Sequence, residues 1–189
     1  MLFRDNVIYT SAKLSRTLGI IKRLNFLPEQ TLLTLYFSLF HSVITYGILI
    51  WGSSSKSFLN QILVVQKKTI RVICGKDRYF HTKPLFLRLN ILNFFDLFNY
   101  SVCIHLFKIL VLDKYINLKY LILQNNVDHN YNTRISLLRL PFYSKSLCQR
   151  SLIYIEPKLW NLLPNFIKSI KTLSSFKRKL KGYLLNKYM

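Results

Sequence analysis

The sequence predicts a mainly α-helical fold, and three observations lead there. The run LLTLYFSLFHSVITYGILIWG, Leu32 to Gly52, has no charged side chain, yet Thr31, Thr34, Ser38, His41, Ser42 and Thr45 recur at intervals of three and four. That spacing draws one polar stripe along a helix. The stretches on either side set apolar residues at helical spacing with Lys or Arg opposite, and the tail from Leu173 does so again. The predicted architecture is a helical bundle over 1–124, followed by a less regular C-terminal extension over 125–189 that ends in a basic amphipathic helix.

Taken in order, Ser11 to Leu24 places Leu14, Leu18, Ile21 and Leu24 on one face and Lys13, Arg16 and Arg23 on another. For the uncharged run, Pro28 and Glu29 suit a helix start; Gly52 followed by Ser53, Ser54 and Ser55 supplies a stop and then a new cap. Roughly twenty apolar residues also suffice to cross a bilayer. A lipid-facing helix has no need of the polar stripe, so a buried helix is favoured. Further on, Phe58, Ile62, Val65, Thr69 and Val72 make a face opposed by Asn60, Lys67 and Arg71, with Gly75 suited to the position just past the helix end. A short helix is expected from Pro84 to Leu92. Asn93 and Asp96 resemble a cap for a long apolar helix running through Leu112. Asn125 to Asn132 reads as a loop and Arg134 to Tyr143 as a strand or extended pass, with Pro141, Pro157 and Pro164 breaking regular structure. Behind Thr172 as a cap, Leu173, Phe176, Leu180 and Leu184 oppose Lys177, Arg178 and Lys181.

Charge narrows the partner. Against 28 Lys and Arg stand seven acids (Asp5, Glu29, Asp77, Asp96, Asp113, Asp128 and Glu156), a net charge of +21. Such a surface calls for a polyanion or an acidic membrane. An AT-rich coding bias, visible in the single alanine at Ala12, raises Lys without explaining so few acids, so nucleic acid leads. Cys74, Cys103 and Cys148 are odd in number and far apart, and MLFRDNV has no secretory apolar core, which points to an intracellular, reducing compartment, nuclear or cytoplasmic.

Two-metal catalysis needs clustered carboxylates, and no two of the seven acids lie closer than fifteen residues. His41, His81, His105 and His129 lack finger or knuckle spacing with the cysteines, and the five glycines are scattered, so neither metal nor cofactor is expected. Cys103 and His105 point to different sides of a helix, which favours a buried Cys beside a core or surface His. Ser53 to Ser55 is better explained by capping than by nucleophilic catalysis.

The ordered pieces LGIIKRL, LYFSLFHSVITYGILIWG, VVQKKTIRVICG, HTKPLFLRLNIL, YNTR and LWNLLPNFIKSIKTLSSFKRKLKGYLL go further. Their most specific elements are Tyr46-Gly47 followed by Trp51-Gly52, Gln66-Lys67-Lys68 with Arg71, the His81 to Phe86 segment, and Trp160-Asn161 with Leu163-Pro164. Together they resemble the C-terminal region of reverse transcriptases from jockey-like, non-LTR (LINE-class) retrotransposons, matching in order from about Ala12 to Tyr188. The resemblance implies a helical, thumb-like region that holds template and nascent duplex by the phosphate backbone, with an extension beyond it. The chain departs from that family in lacking fingers, the palm with its paired aspartates, any upstream endonuclease and the cysteine-histidine knuckle of some relatives. What it implies is therefore a fragment that binds RNA and DNA backbones without autonomous synthesis, and the fingers and palm of a parent polymerase as partners.

Lys and Arg on exposed helix faces contact phosphates without reading sequence. Lys67, Lys68 and Arg71 lead the candidates, then Arg16, Lys22 and Arg23, then Lys177, Arg178 and Lys181, with Arg134 inside YNTR. Each is weighed against a solvated face, and Arg134 also against pairing with Asp128. Tyr36, Tyr46, Trp51, Tyr100 and Trp160 are candidates for base stacking, but apolar surroundings at helical spacing favour the core. Trp160, in a Pro-rich segment, is expected to be the more exposed. Two rivals remain: a small basic membrane-associated protein with one or two transmembrane helices, Leu32 to Trp51 and Phe94 to Leu112, and an interaction domain whose apolar helices need a palm to cover them. Asp96, Asn99, His105 and Lys108 count against the second span.

Overall fold

The structure, a computed structural model, describes residues 2–115, 117, 122, 138 and 140–186. It is mainly helical, with no strand among the described residues. The chain divides into two compact units, residues 1–98 with 184–189, and residues 99–183.

Helix α1, Leu2–Arg23, begins earlier than its periodicity suggested, and buries Val7, Leu14, Leu18 and Ile21. It packs along α5, Lys56–Ile73. The two run parallel: Arg4 lies over the Phe58 ring at 5.4 Å near both helix starts, and Lys22 shares a pocket with Lys68 and Arg71 near both ends. Parallel neighbours need a return connection, and the uncharged run provides it.

That run is not the single helix expected. Helix α2, Glu29–Leu35, does start behind Pro28, but it passes into a π-helical stretch, Tyr36–His41, and then α3, Ser42–Thr45. Gly47, left-handed at φ 64°, breaks the path before α4, Ile48–Trp51. The predicted polar stripe faces mostly outward, with Thr31, Thr34, Ser38 and Ser42 exposed and His41 and Thr45 half-buried. Its hydroxyls turn back on the helix, Thr34 to the Gln30 carbonyl and Thr45 to that of His41. The opposite side buries Leu32, Tyr36, Phe40 and Ile44. Among the described residues no helix is long and apolar enough to cross a membrane.

The buried face of α5 is rotated from the expected one. Phe58 and Val72 are only half-buried, while Leu59, Gln66, Ile70 and Ile73 join Ile62, Val65 and Thr69 inside. A polar residue tolerates this because its hydrogens are used: Gln66 Nε2 donates to the Tyr36 hydroxyl and to the Leu92 carbonyl, both at 3.0 Å. Gly75 takes the position foreseen, at φ 57°. The Gly75 amide bonds Val72 and that of Lys76 bonds Arg71, the paired bonds of a left-handed helix stop.

Helix α6, Lys83–Arg88, ends short of Leu92 because Asn90 adopts φ 54° and makes the same kind of stop. An exposed ion pair, Arg88 to Glu29 at 2.7 Å, links it to the start of α2. Asn93 caps α7, Phe94–Leu110, through its side-chain oxygen on the Asp96 amide, as expected, and the helix stops two residues before Leu112.

In the second unit, α8, Leu152–Asn161, contains Pro157, which was expected to break it. The residue lies far enough along the helix to lose one backbone bond, and it is buried. Helices α9, Asn165–Lys168, and α10, Leu173–Asn186, follow. Phe176 stacks on Phe107 at 4.2 Å and on Trp160 at 6.0 Å, so Trp160 is a core residue and not the exposed one expected. The Asn161 amide pairs with both backbone groups of Leu138, at 2.9 and 2.7 Å. Of Arg134 to Tyr143, read as a strand or extended pass, half lies outside the described residues, and the described half, Leu138 and 140–143, forms neither strand nor helix; the Asn125 to Asn132 loop lies wholly outside them.

Candidate nucleic-acid interface

Packing α1 against α5 in parallel brings their C-terminal turns together. Lys22 and Arg23 occupy the last turn of α1 and Arg71 that of α5, where the partial negative charge of the helix end favours cations. The helix stop at Gly75 then turns the chain back, so that Lys76 and Arg78 approach the same place. The result is a pocket of about 410 Å³ lined by Lys22, Lys68, Arg71, Val72, Lys76 and Arg78. Five of the six lining side chains are cations, and no acid is among them. Asp77 stands between two of them in sequence but does not line the pocket.

Arg71 is anchored. Its Nε donates to the Phe80 carbonyl at 2.9 Å, tying the loop after Gly75 to the last turn of α5. Lys68 and Lys22 are exposed, so their ammonium groups meet solvent. Ammonium and guanidinium groups converging without counter-charge hold phosphate oxygens, the first as point charges and the second as a planar fork.

The predicted residues divide accordingly. Lys22, Lys68 and Arg71 come together in the pocket. Lys67, half-buried, and Arg16 and Arg23, exposed, belong to the same pair of helices but do not line it. Lys177 and Arg178 are exposed on α10 in the second unit. Lys181 beside them is half-buried, and that burial pulls its ammonium pKa below the usual lysine value. Arg134 lies outside the described residues. Lys76 and Arg78 were missed, although the stretch KDRYF directly after the helix-stopping Gly75 sets three charged residues before two aromatics in plain view.

Among the stacking candidates, Tyr36 and Trp51 are buried with Trp160, and Tyr46 is exposed. His105 sits neither free nor in an apolar core. Its Nδ1 lies 2.6 Å from Oε1 of the buried Glu156, 51 residues away, a partnership without local signal. No group of three His, Cys, Asp or Glu among the described residues is arranged to hold a metal ion. Family models, curated proteins and solved structures yield no match to this chain.

Proposed function

We propose that the chain is a thumb-and-extension fragment of a retrotransposon reverse transcriptase that binds RNA and DNA backbones without sequence preference, inside the cell. The observation that carries the binding half is the pocket of five cations without an acid, built from α1, α5 and the loop after Gly75. Ancestry rests on the ordered sequence pieces from Ala12 to Tyr188. A net charge of +21 supplies attraction at long range, and the pocket concentrates it where two helix ends meet. The fingers and palm of a parent polymerase are the protein partners this reading names.

Binding of the purified chain to a labelled RNA–DNA hybrid across a salt series tests the proposal. Lys22, Lys68 and Lys76 changed together to Ala should make the log-log salt slope shallower by about two to three units, because each phosphate contact contributes about 0.9. Arg71 is left intact because it also braces the loop. Absence of hybrid binding at low salt by folded protein overturns the proposal.

A further inference from the structure

The loop after Gly75 presents aromatic rings beside the cationic pocket. Tyr79 is 86 % exposed and Phe80 40 %. Arg78 lies over the Tyr79 ring at 5.9 Å and Lys76 over the Phe80 ring at 5.4 Å. These two cations also line the pocket, so pocket and rings are joined by shared side chains. Arg78 covers one face of Tyr79, which leaves the other to solvent.

The loop is fixed before any ligand arrives. Arg71 Nε holds the Phe80 carbonyl, the Phe80 amide bonds the Asp77 carbonyl at 3.1 Å, and the Lys76 amide bonds Arg71 at 2.9 Å. A preset platform loses little entropy on binding. Single-strand binders combine a positive groove for the backbone with aromatic rings for the bases, each stack being sequence-tolerant because every base has a π face. In a duplex those faces are already occupied by neighbouring base pairs.

We propose that the pocket and Tyr79 form one site for single-stranded RNA or DNA, with phosphate held by Lys22, Lys68, Lys76 and Arg78 and an unpaired base stacked on the open face of Tyr79. This rests on the nucleic-acid reading above and deepens it: the preferred ligand is an unpaired strand or a strand end, where duplex alone uses only the pocket.

The test uses the full chain with a labelled oligothymidylate of about twelve nucleotides, within the span of known single-strand grooves, and a blunt duplex of similar length, both read by fluorescence anisotropy. Tyr79→Ala should weaken single-strand binding about tenfold or more, leave the salt slope unchanged and leave duplex binding within about twofold. Tyr79→Trp should restore single-strand affinity. Lys76→Ala should weaken both ligands and make both slopes shallower by about one unit. Single-strand binding that is intact in Tyr79→Ala, or lost equally for duplex, overturns the stacked-base site and leaves the backbone reading standing. Binding of neither ligand by the unaltered, folded chain overturns both.

Discussion

Gly52 has no room for a side chain. A Cβ there would stand 2.5 Å from the Phe98 ring and 2.3 Å from the Ile48 carbonyl, closer than real contacts allow. Gly52→Ala is therefore expected to destabilise the fold by about 1–3 kcal/mol, the cost of overpacking, as measured by urea denaturation. An unchanged midpoint would show that Phe98 moves aside freely. Nearby, Trp51 donates its indole N–H to the Tyr46 carbonyl at 2.9 Å and stacks on Phe94 at 5.6 Å. The Tyr46-Gly47 and Trp51-Gly52 pieces, singled out by resemblance, thus have a local structural account. Tyr36 carries a pH consequence. Burial pushes its phenol pKa well above the ordinary value near 10. Its neutral form therefore supports the fold fully at lower pH. Above about pH 10 the unfolded chain releases this proton while the folded chain keeps it, so stability falls by up to roughly 1.4 kcal/mol per pH unit. Tyr36→Phe should cost about 1 kcal/mol at neutral pH for the lost hydrogen bond and flatten that alkaline fall. An equally steep fall in the variant would mean that other groups cause it.

Helix α5 does most to position the candidate site. One face packs on α1, its last turn supplies Lys68 and Arg71, and the stop at Gly75 sends the chain back past both. Arg71 therefore has two duties, charge in the pocket and a brace on the loop. Arg71→Lys keeps the charge but removes the Nε donor. It should leave the salt slope of hybrid binding unchanged within about half a unit, since one phosphate contact is worth about 0.9, while the amides of residues 76–80 exchange faster with deuterated water. Unchanged exchange would show that the loop holds its shape without the brace. In the second unit, α8 brings Glu156 against His105 on α7. His105→Ala removes the hydrogen-bond partner of the buried Glu156 side chain and should cost about 1–3 kcal/mol, visible as a lower melting temperature. A change under about 1 kcal/mol would mean that the Glu156 side chain finds water.

The molecule as a whole is dominated by unbalanced charge. With 28 cations against seven acids, self-repulsion opposes the compact state at low ionic strength. Raising salt from about 0.01 to 0.15 M shortens the Debye length from roughly 30 to 8 Å. The melting temperature should therefore rise with salt, by about 2–4 °C for each 1 kcal/mol of repulsion relieved. The direction is opposite to the effect of salt on nucleic-acid affinity. Duplex or single-stranded nucleic acid at low salt should raise the melting temperature as well, because a ligand of the folded state stabilises it. A melting temperature that falls on adding salt would show that attractive pairs outweigh repulsion.

Local pattern was enough for the helical class, the outward polar stripe, the Asn93 cap, the Gly75 stop and the apolar side of α10, because each depends on residues within one or two turns of one another. Lys22, Lys68 and Arg71 were likewise legible as cations on polar helix faces. Their convergence with Lys76 and Arg78 was not, since it depends on α1 and α5 lying parallel and on the loop folding back. The same holds for the break at Gly47 inside an apparently continuous apolar run, for the rotation of α5 that buries Gln66 against Tyr36, and for Pro157 inside α8. Sequence periodicity decided where most of the helices lie, and composition decided that the surface is cationic. Which faces are buried, and which distant cations share one pocket, was decided only by tertiary packing, because those outcomes depend on the partner presented by another part of the chain.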